Sequence, residues 1–207
     1  MLRLETIPPE TLVLLKNIQA LPTFKDTRLV GGAALALHFG HRTSIDLDLF
    51  GAWETHPPLE LALAECGRVE KLGGDGKSFQ FFAVNGVKID CVAYPYKWLA
   101  PPVVSDGVRL AAVSDIAAMK IAAVTNRGTR KDFVDVYFLL KLHTLEQLID
   151  WYMQKYPDGN AYLTMRSLVY FADAEQEVMP KMLMPVEWEN VKSTIRMAVR
   201  ELDCKSS

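Results

Sequence analysis

Few features of the sequence would place it in a specialised class of protein. Only three of its 207 residues are cysteine, and no two of them have the spacing of a metal-binding or redox pair. We therefore expect free thiols in a reducing compartment. The apolar stretch 12–21 is interrupted by polar residues, which predicts an amphipathic helix rather than a signal peptide. Because no apolar run has transmembrane length, we expect a cytoplasmic protein without membrane contact.

The chain also lacks an excess of positive charge. Its 23 lysines and arginines face 25 acidic residues, for a net charge of -2. The chain therefore lacks the overall positive charge that attracts nucleic acid, although a local basic patch is still an alternative. Half of the residues are hydrophobic and 23% are charged, as in ordinary globular proteins. This length suffices for a small α/β domain with a helical extension.

The hydrophobic pattern changes near residue 113, and no internal repeat is visible. Residues 1–113 alternate short helical and strand-like segments, with Asn85-Gly86 as a strong hairpin signal. Residues 114–207 are helical in pattern. We expect helices capped by Ser114 (to about Asn126), Thr129 (to Leu142) and Thr144 (ending before Pro157), and two more over 161–177 and 186–202.

Two aspartates raise the question of function. Asp46 and Asp48 lie in the alternating segment Ile45–Phe50, which predicts a strand with both carboxylates on one face and Ile45 in the core. Neighbouring carboxylates repel one another, and a divalent cation relieves that repulsion. Mg²⁺ prefers such oxygen ligands. The alternative is an edge strand with two solvated aspartates.

Two further features favour a phosphate and metal site. Asp90 lies in a second strand-like segment, where aspartate is disfavoured, and three converging carboxylates would suit phosphoryl transfer. Gly31-Gly32 separates a short strand from a helix, so backbone N–H groups there could meet a triphosphate. Taken singly, Asp90 could be an exposed residue after a hairpin, and the glycines a tight turn.

In combination these residues resemble a known signature. The order Val30-Gly31-Gly32, Asp46-Leu47-Asp48-Leu49 and Ile89-Asp90-Cys91 is similar to the pattern hG[GS], [DE]h[DE]h, h[DE]h of the DNA polymerase β-type nucleotidyltransferase superfamily. The resemblance implies a mixed α/β (α+β) sheet with flanking helices over 1–113, followed by a helical region over 114–207 that completes the active-site cleft. It also implies Mg²⁺ (or Mn²⁺) and an NTP substrate, with metal on Asp46, Asp48 and Asp90.

A downstream segment resembles the motif of one family within this superfamily. Met119-Lys120-Ile121 leads to Arg127-Gly128-Thr129-Arg130-Lys131-Asp132 and Asp135-Val136-Tyr137, which resembles the motif of the AbiEii-type nucleotidyltransferase toxins of type IV toxin–antitoxin and abortive-infection systems. In that motif arginine is common where Lys131 stands. The resemblance implies a toxin that acts on RNA, with a tRNA end as the expected acceptor, and a cognate antitoxin protein.

The residues of this segment allow more than one interpretation. Lys120 and Arg127 are seven apart and would share a helix face, where Lys120 either contacts phosphate or snorkels over the core. Asp132 forms a potential capping box with Thr129. Asp135 lies beyond the first turn, so we expect it to pair with an arginine or to position Lys120.

The predicted reaction is transfer of NMP from an NTP to an acceptor hydroxyl, with the nucleotide between the sheet and the helical region. Lys120 and Arg42 would stabilise the developing charge. Arg42 could alternatively form a surface salt bridge, and Ser44 could contact phosphate or cap the strand. The other acceptors are a small molecule such as an aminoglycoside, or a protein. A non-catalytic nucleotide- or partner-binding module is the alternative of a different class.

Overall fold

A computed structural model describes residues 1–53 and 58–206, with side chains as far as Cys204. The chain divides into two compact units. The first comprises residues 1–96 and 101–112, and the second comprises 97–100 and 113–207. Within the described residues, every helix is too short or too polar to serve as a membrane span.

The first unit is built on a mixed sheet. Its helices are α1 (Pro9–Ala20), α2 (Gly31–Phe39) and α3 (Leu59–Ala64). Its strands are β1 (Thr27–Val30), β2 (Leu47–Gly51), β3 (Val69–Gly74), β4 (Phe79–Val84), β5 (Val87–Ala93), β6 (Val103–Ser105) and β7 (Val108–Leu110). They form one sheet in the order β3-β4-β5-β2-β1-β7-β6. The α/β fold predicted from the sequence is therefore confirmed.

Two neighbour pairs in this sheet are parallel and the others antiparallel. β2 runs parallel to β5, and β1 runs parallel to β7. The predicted hairpin is present, because Asn85 and Gly86 have φ of +52° and +83° and join β4 to β5. One face of the central strands is buried, through Leu29, Leu47, Leu49, Ile89 and Cys91. The almost wholly apolar α2 is buried from Ala33 to Leu37.

The second unit is helical, as the sequence predicts. It contains α4 (Val113–Asn126), α5 (Arg130–Leu139), α6 (Leu145–Lys155), α7 (Ala161–Leu168) and α8 (Trp188–Ser206), with a 3₁₀ turn at Asp173–Gln176. Thr144 caps α6 in a full capping box with Gln147. Phe133, Phe171 and Trp188 pack together, with ring centroids 4.8–6.1 Å apart.

Several element boundaries differ from the sequence-based expectation. β2 begins at Leu47, and Ile45 is 61% exposed rather than part of the core. Ser114 lies inside α4, which begins one residue earlier. The helix expected over 161–177 ends at Leu168 and is followed by a 3₁₀ turn. Local sequence signals fix element boundaries only to within one or two residues, and packing decides where these elements begin and end.

Candidate active site

The two acidic strands lie side by side. β2 and β5 pair in parallel with Asp48 directly opposite Asp90. Residues opposite each other on neighbouring strands point to the same face of a sheet. Leu47 and Leu49, which alternate with Asp48, are buried on the other face. The register therefore brings together two of the three carboxylates that the sequence singled out.

Asp46 lies one residue before β2, half-buried, so it precedes the strand in which it was predicted to lie. The charge of Asp46 nevertheless acts on the same lysine as the charges of Asp48 and Asp90. The pKa of Lys88 is raised above its ordinary value, first by a hydrogen bond to Asp90 and then by the charges of Asp90, Asp46 and Asp48, which outweigh the opposing effect of burial. All three carboxylates thus act on one ammonium group.

The double glycine packs against this acidic site. Gly31 begins α2 with φ of +66°, and a Cβ there would lie 2.0 Å from Asp48 Oδ2. At Gly32 a Cβ would lie 2.3 Å from an Nη atom of Arg42. Only glycine lets the backbone approach the two side chains this closely. The glycines therefore place the N-terminus of α2 directly beside Asp48 and Arg42.

Arg42 is buried, with 4% of its surface exposed, so the alternative of a surface salt bridge is wrong. Its guanidinium donates to the carbonyl of Thr43 at 3.1 Å. Ser44 lies three residues before β2, and its backbone N–H donates to the carbonyl of Thr6 at 3.0 Å. Both residues belong to the loop that connects α2 to the acidic strand.

The donor set of this site fits a divalent cation. Oδ1 of Asp90 is buried and has no hydrogen-bond partner among the described atoms. Such an atom is costly unless something binds it. Across 1–53 and 58–206, no three acidic, histidine or cysteine side chains are grouped closely enough to enclose a metal ion. Because Mg²⁺ commonly takes one or two carboxylates plus substrate phosphates, Asp48 and Asp90 suit it, and the three-carboxylate site stays a prediction.

The second unit holds a separate cluster of charges. Lys120 is buried on α4, and its ammonium lies 2.9 Å from Asp132 and 2.7 Å from Asp135 on α5. Both aspartates are fully buried. The snorkelling alternative for Lys120 is therefore wrong. The expectation that Asp135 positions Lys120 agrees with this geometry.

Asp132 is held by several donors rather than by a capping box. The hydroxyl of Thr129 donates to Asp132 in a short hydrogen bond and accepts no backbone N–H, so the predicted capping box does not form. Burial alone would raise the pKa of Asp132. The charge of Lys120, the hydrogen bonds from Thr129 and Lys120, and the charge of Arg127 outweigh it and lower the pKa.

Arg127 lies just after the last residue of α4, rather than on it as predicted. Its side chain is 65% exposed, and its Nε lies 3.5 Å from Asp132. Together with Asn126, Ser167 and Tyr170, Arg127 lines a cavity of about 200 Å³. An exposed guanidinium beside a polar cavity is available to a ligand.

Sequence reasoning missed two charged residues. Lys88 precedes Asp90 by two positions on β5, so strand alternation alone places it on the same face. Lys155 lies at the end of α6, and its ammonium is 2.6 Å from the fully buried Asp115. No local pattern indicates this second pair, since 40 residues separate its members.

Comparison with known proteins agrees with the resemblance seen in the sequence. The profile of the family described as "Nucleotidyl transferase AbiEii toxin, Type IV TA system" matches residues 13–203. A functionally uncharacterised protein of Aquifex aeolicus (strain VF5), aq_aa25, is 32% identical over an alignment of 197 residues that covers 90% of this chain and 93% of that protein.

Two solved structures share the fold. A candidate nucleotidyltransferase from H. pylori has a TM-score of 0.61 at 16% identity, over 95% of this chain and 92% of that one. MenT4, a nucleotidyltransferase toxin of Mycobacterium tuberculosis H37Rv, has a TM-score of 0.54 at 18% identity, over 92% and 82% of the two chains. The family profile covers most of the chain and the relative matches nearly all of it, so this protein belongs to the AbiEii family of nucleotidyltransferase toxins of type IV toxin–antitoxin systems.

Proposed function

We propose that this protein transfers NMP from an NTP to a hydroxyl group of RNA, with a tRNA end as the acceptor, in a reaction that depends on Mg²⁺. The observation that carries the proposal is the parallel register of Asp48 and Asp90, with Gly31 packed against Asp48. Paired carboxylates beside a helix N-terminus suit a metal-bound triphosphate.

Asp46, Asp48 and Asp90 would hold the metal. Mg²⁺, or Mn²⁺ in its place, supplies charge neutralisation at the phosphates and a more acidic acceptor hydroxyl when bound. The unpartnered Oδ1 of Asp90 is the oxygen best placed to accept a proton or a metal bond, since no described atom satisfies it. Pyrophosphate leaves as the acceptor oxygen attacks the α-phosphate.

The loop after α2 would bind the triphosphate. The N-terminus of α2 at Gly31 and Gly32 attracts anions through the helix dipole, and the adjacent guanidinium of Arg42 adds a fixed positive charge. Because Arg42 is buried and hydrogen-bonded to Thr43, it is ordered before the substrate arrives. Ser44 would add a hydroxyl donor from the same loop.

Two of the predicted site residues, Arg127 and Lys120, belong to the second unit. Arg127 is exposed beside a cavity of that unit, and its contact with the NTP stays a prediction. Asp132 and Asp135 take up the charge of Lys120 in this structure. We therefore assign Lys120 first to ordering these two aspartates, and its contact with phosphate stays a prediction.

An aromatic surface favours an RNA acceptor over the other classes. Phe50 follows Asp48 by two positions on β2, and its ring lies 5.5 Å from that of Tyr94. Tyr94 in turn lies 5.5 Å from Tyr96, which is 43% exposed. Aromatic rings next to a phosphoryl-transfer site suit unstacked bases, which stack on them with little sequence preference.

Toxin activity would require a cognate antitoxin protein to restrain it. The family supports this partner, since its members are toxins of type IV systems. Transfer to a small molecule or to a protein, and nucleotide binding without turnover, would be separate outcomes of the following experiment.

A labelling assay tests the proposal. The protein is incubated with Mg²⁺, total cellular RNA and each α-³²P-labelled NTP in turn, beside an Asp48→Asn variant. The matched control is Asp158→Asn, which removes an exposed carboxylate in the second unit. We expect label in RNA from the wild type and the control alone. Pyrophosphate release without labelled RNA would move the acceptor to a small molecule or protein, and NTP binding without turnover would contradict catalysis.

A further inference from the structure

Lys88 lies among the carboxylates of the proposed metal site. It precedes Asp90 by two positions on β5 and donates a hydrogen bond to Oδ2 of Asp90 at 2.8 Å. Its side chain is 49% exposed, whereas that of Asp90 is 19% exposed. The carboxylate is therefore anchored in the sheet, while the ammonium reaches it from the solvent side.

The ammonium is placed to neutralise more than one carboxylate. Asp48 is the register partner of Asp90, and the charges of Asp46 and Asp48 also attract Lys88. The ring of Phe81, directly opposite Asp90 on β4, lies 5.8 Å from the ammonium and supports it further. The same carboxylates would stabilise a bound divalent cation, so the cation and the Lys88 ammonium compete for them.

The two oxygens of Asp90 differ. Oδ2 carries the hydrogen bond from Lys88, and the buried Oδ1 has no hydrogen-bond partner among the described atoms. A cation that approaches Asp90 therefore meets one bare oxygen and one that is already engaged. Coordination of a metal by both oxygens would therefore displace the lysine from Oδ2.

We propose that Lys88 is a tethered counter-ion that competes with the divalent cation for Asp90 and makes cation binding depend on the nucleotide. The inference rests on the proposed function, because it concerns the same metal site. A flexible, half-exposed lysine loses little when it moves. A bound triphosphate gives its ammonium a new anionic partner and brings further oxygen ligands for the cation.

The consequence is a site in which a positive charge lies among the carboxylates before any metal binds. Three neighbouring carboxylates would otherwise repel one another. With Lys88 in place the free protein binds the cation weakly, and NTP strengthens that binding by displacing the lysine. In this role Lys88 is a positioning residue rather than a catalytic one.

Direct measurement of Mn²⁺ binding tests this role without any turnover. Free Mn²⁺ is followed by its electron paramagnetic resonance signal during titration of the metal-free protein, with and without a non-hydrolysable NTP analogue. The variants are Lys88→Met, which removes the charge, and Lys88→Arg, which keeps it. Lys71→Met is the matched control, since Lys71 is an exposed lysine on β3 of the same sheet.

Without nucleotide, we expect Lys88→Met to bind Mn²⁺ about tenfold more tightly than the wild type, because a competing charge has gone. The nucleotide should then strengthen Mn²⁺ binding less in Lys88→Met than in the wild type. Lys88→Arg and Lys71→Met should match the wild type. Thermal unfolding close to that of the wild type shows that the half-exposed position tolerates the change.

A further variant, Asp90→Asn, distinguishes a failure of the role proposed for Lys88 from a failure of the proposed metal site. If Lys88→Met binds Mn²⁺ like the wild type while Asp90→Asn binds it more weakly, the role of Lys88 is overturned and the metal site stands. If Asp90→Asn binds Mn²⁺ as well as the wild type, or if no variant binds it even with the nucleotide analogue, the proposed metal site itself is overturned, and the role of Lys88 with it.

Discussion

Asp48 and Asp90 lie directly opposite each other on two parallel strands, β2 and β5, although the whole β3–β4 hairpin separates them in the chain. Each alternates with apolar residues that are buried on the other face of the sheet, among them Leu49 and Ile89. A one-residue slip of either strand would move its aspartate to the buried face. The core thus fixes the register, and the register pairs the two acids.

Replacing one of these carboxylates should separate activity from stability. We expect Asp48→Asn or Asp90→Asn to reduce transfer by roughly 100-fold or more, since a charge-stabilising group is lost. For Asp48→Asn, removal of like-charge repulsion should leave the fold intact or slightly more stable without metal. Transfer assays and thermal unfolding, with Asp158→Asn alongside, check both effects; an Asp48→Asn enzyme with wild-type turnover would refute the assignment.

Alanine at Gly31 should displace Asp48. The new Cβ would lie 2.0 Å from Asp48 Oδ2, in a backbone conformation with φ of +66°. We expect a loss of about 1–3 kcal/mol in unfolding free energy, together with most of the transfer activity. Gly86→Ala is the matched control, because Gly86 has φ of +83° and open space at the Cβ position. It should lose stability through the backbone alone and keep its activity; equal activity losses in the two variants would contradict the steric argument.

Lys120→Met should destabilise the second unit strongly. The substitution removes the buried ammonium that lies between Asp132 and Asp135, and breaking such a buried ion pair typically costs about 3–5 kcal/mol. Urea unfolding measures the loss, and Lys131→Met, at an exposed neighbouring position, should change little. Adding Asp132→Asn and Asp135→Asn to Lys120→Met should recover part of the stability. A Lys120→Met protein as stable as the wild type would mean that the ion pairs of Lys120 make no net contribution to the free energy of unfolding.

Acid should remove the stabilisation that Asp132 provides. Its pKa is lower in the folded protein than in the unfolded chain, where it is about 3.9. Its contribution is therefore fully present above about pH 4 and is lost as the pH falls through the folded-state pKa. Thermal unfolding of wild type and Asp132→Asn at pH 7 and pH 3 should show a stability difference that shrinks in acid. A difference that grew in acid would require a raised pKa instead.

Local signals in the sequence were enough to predict much of the first unit. Asn85-Gly86 predicted a hairpin because both residues tolerate positive φ, and the structure has it. Gly31-Gly32 marked the junction of β1 and α2, because glycine also tolerates positive φ. Boundaries were less predictable: Ile45 looked like a core residue of β2 but lies exposed before it, because alternation alone does not say where pairing begins.

The charged residues show the limit of such reasoning most clearly. The sequence by itself determined the family, which the profile match confirms, and it singled out Asp46, Asp48 and Asp90 as the acids of the predicted site. Only the tertiary structure decided the neighbours of the predicted site residues: Lys88 bonds Asp90, Gly31 packs against Asp48, and Asp132 and Asp135 pair with Lys120. The physical reason is that periodicity fixes the face on which a side chain lies, whereas its partner depends on strand register and helix packing between distant parts of the chain.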